Sequence, residues 1–403
     1  MSASYTIPSG GVRKHVSDLR IVTPRYGSSI VGGAESAMRR LAHALARRGW
    51  SVQVWTTTAV DEATWSSGFA VGVEHDGDIE VRRFPVLLHR RRWLFRQLSR
   101  AAYHLPRHLR PEHLWSIVQG PYAPALVRAL EHGDSVPTLF SPYLFHPTLF
   151  GLPAAGHPRI LCPAAHDEPA LRLGVVRHAV LSADSLWFHS PEEGELLFSA
   201  HPQARRLPSQ CGVVGVDAPH DIDDKAFAER HGIDGPYLYY GGRAASGKGL
   251  EELLAGAALL HRADPNARLV LSGEAGDIDH APWVTSVGLL DERERWEAIA
   301  GAVAVVVPSS LESLSLLALE SWAMGRPCLL NAASPVLAGH SARSGGAFTF
   351  TTSAELAARA AVLIREPQTA TAMGAAGREY VASTYRWDLA EERLRILIAA
   401  TNA

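Results

Sequence analysis

Cysteine is scarce in this chain, with three among 403 residues. Cys162, Cys211 and Cys328 are far apart, odd in number and in no zinc-like spacing, which fits small buried residues in a reducing cytoplasm. Long apolar runs are also missing. None approaches the roughly 20 residues that span a bilayer, and the first fifteen residues lack the apolar segment of a signal peptide. Charge is not in excess either: 39 basic against 41 acidic residues gives −2, which offers nucleic acid no general attraction. No solenoid-type repeat is visible. What is present is an ordinary globular balance, 47% hydrophobic and 20% charged, at a length that suggests two domains.

Residues 1–16 read as a disordered tail. Leu19 to Thr23 reads as a buried strand, followed by a Gly- and Ser-rich loop to Gly33. A helix comes next, with Met38, Leu41, Ala42 and Leu45 on one stripe, and a second strand spans Ser51 to Thr56. Strand, helix, strand in this order is a βαβ unit, which requires a parallel sheet. Residues 85–150, rich in Pro, His, Arg and aromatics, give no clear period. Strand-like runs return at Arg159 to Pro163 and Ser185 to Ser190, and a linker is expected near 206–220. The second half alternates cleanly. Strands are expected at 237–240, 268–272, 284–287, 302–307 and 328–331, with helices such as 250–262 between them. The expected fold class is α/β, with two doubly wound domains facing a central cleft. The expected boundaries are 17–208 for the first domain and 209–385 for the second. Residues 386–403 are expected as a final helix that could cross back to the first domain.

The most informative stretch runs from Pro308 to Pro327. Glu312 and Glu320 flank the start of a predicted helix that follows an apolar strand. Ser315 is a good N-cap, Leu316 opens the helix, and Gly325 with Pro327 ends it. Such a helix start presents unpaired N–H groups at a strand's carboxyl end, an anion site. Two acids beside it suit a ligand that carries both hydroxyls and phosphate, such as a sugar nucleotide. Gly242-x4-Gly247-Lys248 is a near-match to a P-loop, but the next residue is Gly249, where a P-loop needs Ser or Thr for magnesium. Gly32-Gly33 opens the first helix, where a close backbone and a helix N-terminus also suit phosphate.

Glu312 to Glu320 resembles the Glu-x7-Glu motif of the retaining family-four glycosyltransferases, which have the GT-B fold of two Rossmann-like domains. The usual Glu-Gly-Phe-Gly reads here Glu312-Ser313-Leu314-Ser315. Gly242-Arg243 through Lys248-Gly249 resembles the family's Gly-Arg-x4-Lys-Gly element, which implies that Arg243 and Lys248 hold the donor diphosphate. Gly32-Gly33-Ala34-Glu35 is similar to its Gly-Gly-x-Glu loop, and Arg48-Gly49-Trp50-Ser51-Val52 to its Arg-Gly-His-x-Val. Ala165-His166-Asp167 resembles the segment whose His faces the donor sugar; Asp167 and Glu168 could instead fix that loop. Ser190 matches the Ser before the family's Pro-Glu helix, and Gly215-Val216-Asp217 the interdomain linker. The resemblance further implies that Gly288 and Leu289 hold the nucleobase through backbone groups. It implies Glu320 for the ribose hydroxyls and Glu312 for those of the donor sugar.

The resulting expectation is a metal-independent, retaining glycosyltransferase using a nucleoside-diphosphate-sugar, in the first instance a UDP-sugar, with a hydroxyl acceptor. The catalytic set is His166, Glu312, Arg243 and Lys248. The donor set adds Gly32, Gly33, Ser190, Gly288, Leu289, Ser315, Leu316 and Glu320. No metal and no cofactor is expected, since the sugar nucleotide is a co-substrate, and nucleic acid is not an expected partner. A sugar-nucleotide hydrolase or epimerase of the same fold, and a non-catalytic sugar-nucleotide sensor, remain alternatives. His89 to Arg110 forms a basic, aromatic patch suited to steering an acidic acceptor, to a solvated helix face, or to peripheral contact at the inner face of a membrane.

Overall fold

The computed structural model describes residues 18–30, 32–242, 248–273 and 281–401. The expected N-terminal tail and Arg243 lie outside the described residues. Fourteen strands form two sheets among the described residues. The first sheet contains β1 (Leu19–Val22), β2 (Val52–Thr57), β3 (Gly72–Asp76), β4 (Ile79–Phe84), β5 (Thr138–Phe140), β6 (Arg159–Leu161), β7 (Ser185–Phe188) and β8 (Ser209–Cys211). Its order is β3-β4-β2-β1-β5-β6-β7-β8, and every pairing is parallel except β3 with β4. The second contains β9 (Tyr237–Gly241), β10 (Arg268–Ser272), β11 (Val284–Ser286), β12 (Ala304–Val307), β13 (Cys328–Asn331) and β14 (Ala347–Phe350). Its order is β11-β10-β9-β12-β13-β14, all parallel.

The parallel order follows from residue type. β1, β7 and β12 are buried along their whole length, as strands covered by helices on both faces must be. Ile21 pairs with Val54 on one side and Leu139 on the other. The helix Gly33–Arg47 covers the sheet with Met38, Leu41, Ala42 and Leu45, the stripe expected from its period. Each sheet reverses its winding once, between β1 and β5 in the first and between β9 and β12 in the second. Ligands of doubly wound sheets bind at such reversals, outside the strands' carboxyl ends.

Two differences from the sequence reading stand out. The first sheet runs to Cys211, three residues past the expected boundary at 208, and into the expected linker. Ser209–Cys211 is an edge strand of three residues beside Leu186–Phe188, too short and too polar to show a hydrophobic period. In residues 85–150 the chain forms the helices Arg92–His104, Glu112–Gln119, Pro124–Glu131 and His146–Ala154 around the short β5. The last helix, Trp387–Ala400, packs on β7 and β8, and Arg393 donates to the Gly212 carbonyl at 3.2 Å. Trp50 Nε1 donates to Glu391 Oε1 of this helix at 3.0 Å, which ties the second strand's start to the chain's end.

Candidate active site

The loops after β9 and β12 meet first. Gly249 has φ +71°, and a Cβ there would lie 2.2 Å from the Pro308 carbonyl oxygen. Only glycine fits this approach, so the Ser or Thr of a P-loop has no room. The contact brings Lys248 to the loop after β12, where its Nζ lies 3.1 Å from Glu312 Oε1. Ser315 follows at φ 74°, ψ 85°, and its Oγ accepts from Ala318 N at 3.4 Å, capping the helix Leu316–Ala323. Leu316 and Leu317, at the positive end of that helix, line a cleft cavity of about 330 Å³. Gly32, Gly33, Lys248, Leu289, Glu312, Ser315 and Glu320 line it too, so much of the expected donor set converges. Gly288 stands beside it, with its carbonyl accepting from Gly273 N at 2.7 Å.

Glu320 is 2% exposed and sits between two guanidinium groups. Arg40, from the helix Gly33–Arg47 of the opposite domain, places Nη1 2.7 Å from its Oε1. Arg295, from the helix Glu292–Gly301, donates to its Oε2. Burial alone would raise the Glu320 pKa, but Arg295 and Arg40 more than offset it and hold the group ionised below its ordinary range. Neither arginine was singled out in the sequence. Their signal was weak, because arginines on helix faces are usually solvated.

A second cavity, of about 220 Å³, adjoins the first and shares Gly33, Lys248, Glu312, Ser315 and Leu316 with it. His166 lines it, opposite the Lys248–Glu312 pair. Burial lowers the His166 pKa, with Glu312 acting upward and Lys248 downward, so the imidazole is neutral at pH 7. Glu193 holds the loop that carries it. Its Oε1 accepts from Ala165 N at 2.8 Å and its Oε2 from His189 N at 2.6 Å. Glu193 is fully buried, and burial pushes its pKa up to about 8 against those hydrogen bonds. Glu193 lies three residues after Ser190, a spacing that reads as a capping box and could have been found. The structure does not bring Ser190 to the cleft. It is wholly buried, and its Oγ accepts from Glu193 N at 3.2 Å as the cap of the helix Pro191–Ala200. Asp167 faces outward to Arg172 at 2.7 Å, while Glu168 accepts from Tyr143 Oη at 2.7 Å.

The C-terminal side of this cleft matches a known family. Residues 221–380 match the model of the glycosyl transferases group 1 family. The C-terminal domain is thus similar to a group 1 glycosyltransferase domain. It includes Lys248, Glu312, Ser315 and Glu320, the residues that line one side of the cleft. Among solved structures, the sucrose-phosphate synthase of Thermosynechococcus elongatus is similar at TM-score 0.69 and 19% identity, over 96% of this chain and 100% of that one. HepE from Anabaena, in complex with UDP-glucose, gives 0.68 and 15%, over 96% and 100%. WaaG, a glycosyltransferase involved in lipopolysaccharide biosynthesis, gives 0.62 and 15%, over 94% and 99%. These likenesses establish the GT-B fold for the chain as a whole. No curated protein matches it in sequence. The C-terminal domain faces a second Rossmann-like domain that contributes Gly32, Gly33, Arg40 and His166 to the cleft.

Proposed function

We propose that this glycosyltransferase moves a sugar from a nucleoside-diphosphate donor, a UDP-sugar, to a hydroxyl acceptor with retention of configuration and without a bound metal. The observation that carries this is the meeting of Lys248, Glu312 and the Leu316 helix start with Gly32-Gly33 and His166 across one cleft. Breaking the bond from the anomeric carbon to phosphate builds negative charge on the departing diphosphate. Lys248, the helix start and Arg243, which lies outside the described residues, stabilise that charge more in the transition state than before it. The acceptor oxygen forms the new bond on the face the diphosphate leaves, and a departing phosphate oxygen takes the acceptor's proton. Glu312 and His166 orient the donor sugar, and Glu320 exchanges Arg40 for the ribose hydroxyls. Lys248→Ala should lower turnover by about 10²–10³. UDP should raise the melting temperature equally with EDTA and with magnesium. Unchanged turnover in the variant, or a UDP shift that requires magnesium, counts against the mechanism. Retention is read from the product's anomeric NMR signal.

Contact with an anionic lipid surface is proposed for the segment around the helix Arg92–His104. Trp93 is 64% exposed, with Leu87, Leu88, Leu105 and Leu109 also outward. Arg91, Arg92, Arg96, Arg100 and Arg107 are exposed among them, and no acid occurs between Glu80 and Glu112. No helix among the described residues is long and apolar enough to cross a membrane.

A further inference from the structure

The cavity beside His166 has a wall that the donor reading does not use. Glu62, Tyr143, Phe145 and Glu168 form it, all from loops of the N-terminal domain. Its chemistry is one-sided. Among the described residues Glu168 has no ion pair, and it accepts from the Tyr143 hydroxyl at 2.7 Å. Two guanidinium groups lie beside the wall: Arg172, whose Nη1 donates to the Glu168 carbonyl at 3.4 Å while Nη2 pairs with Asp167, and Arg25. Arg25 is 4% exposed and already divided, with Nη2 2.6 Å from Glu35 Oε1 and 3.1 Å from Glu62 Oε2. Its Nη1 donates to the Val60 carbonyl at 3.3 Å. Lys248, the lysine lining the cavity, is paired with Glu312. His166 and His189 belong to the lining, although their Nδ1 atoms are sealed from water and have no hydrogen-bond partner among the described residues.

Ionised carboxylates only accept hydrogen bonds, so this wall matches hydroxyl and ammonium donors. A phosphate brought against it would lose water and meet the Glu168 carboxylate, with Glu62 beside it balanced only by an Arg25 that it shares with Glu35. Leu144 and Phe145 add an apolar face for the C–H side of a ring. We propose that the acceptor is a non-anionic polyhydroxyl compound, a sugar or cyclitol with or without an amine, and that sugar phosphates are excluded by Glu168 and Glu62. This rests on the reading that the adjoining cavity holds a nucleoside-diphosphate sugar.

The test titrates the full chain by calorimetry with glucose, glucosamine and glucose 6-phosphate, with and without saturating UDP. Glucose and glucosamine should bind at least about tenfold more tightly than the phosphate. Glu168→Gln should narrow the advantage of glucosamine over glucose, and Glu62→Lys should move preference toward the phosphate. Glucose 6-phosphate binding as tightly as glucose, or no binding by any of the three, overturns the proposal. UDP binding is read in the same experiment. Its failure would sink the glycosyltransferase reading, while the sugar titrations still report on this wall.

Discussion

Ser315 shows how much one residue decides at this cleft. Its backbone lies at φ 74°, ψ 85°, a region that favours glycine, yet the residue also caps a helix through its hydroxyl. A non-glycine residue held there costs about 1–3 kcal/mol. Losing a serine cap to glycine costs only a few tenths. Ser315→Gly should therefore stabilise the C-terminal domain by about 1 kcal/mol, a rise of roughly 2–4 °C in its melting temperature. A melting temperature that stays level or falls would mean that the strain is absent or fully offset by the cap. At this scale the sequence was informative where the side chain itself does the work. Lys248 was legible because it follows a glycine-rich turn, in a chain whose other lysines are Lys14 and Lys225. Arg40, Arg295 and Arg25 were not, because their importance comes from carboxylates that only the folded chain brings near.

Among the elements, the helix Arg92–His104 has the least settled surroundings. It buries Ala102 and turns Trp93 and a row of arginines outward. If this face docks on anionic lipid, the chain should sediment with phosphatidylglycerol vesicles, and not with phosphatidylcholine vesicles, at low salt. Trp93→Ala combined with Arg92→Ser should weaken that binding by about tenfold, since each basic residue contributes about 1 kcal/mol near such a surface. Equal sedimentation with both lipids, or none with either, would leave the face as solvated helix. Elements with a strong period were legible: the helix Gly33–Arg47, the strands β9 to β13 and the final helix lie within a few residues of expectation. Some short or irregular ones were not. β5 and β8 have three residues each, and the helix His146–Ala154 carries Pro147 and Pro153 and is buried on most sides. Such segments take their form from tertiary neighbours, which no local pattern records.

Across the whole molecule, the two domains are joined by more than the linker. Arg343 of the helix Pro335–Ser344 pairs with Glu192 of the N-terminal domain, with Nη2 to Oε2 at 3.0 Å. Arg40 reaches Glu320 from the other side of the cleft. The two contacts differ in setting: the first is partly open to water, whereas the Glu320 carboxylate is sealed. A surface pair contributes little, but parting a buried one leaves a charge without its partner. Relative motion of the domains is therefore coupled most strongly to Glu320, the residue proposed for the ribose hydroxyls.

That coupling makes Arg40 an internal competitor. It is tethered at a local concentration that dilution never changes, and in the proposed reading a nucleoside competes with it for the same carboxylate. The apparent affinity for UDP is then the intrinsic affinity reduced by the fraction of time Arg40 yields. Arg40→Ala should lower the UDP dissociation constant by up to about tenfold, measured by calorimetry. A weaker UDP complex would instead make Arg40 a direct contact of the donor. In the first case, one side chain of the acceptor-side domain tunes how readily the opposite domain fills with its nucleotide, without touching it.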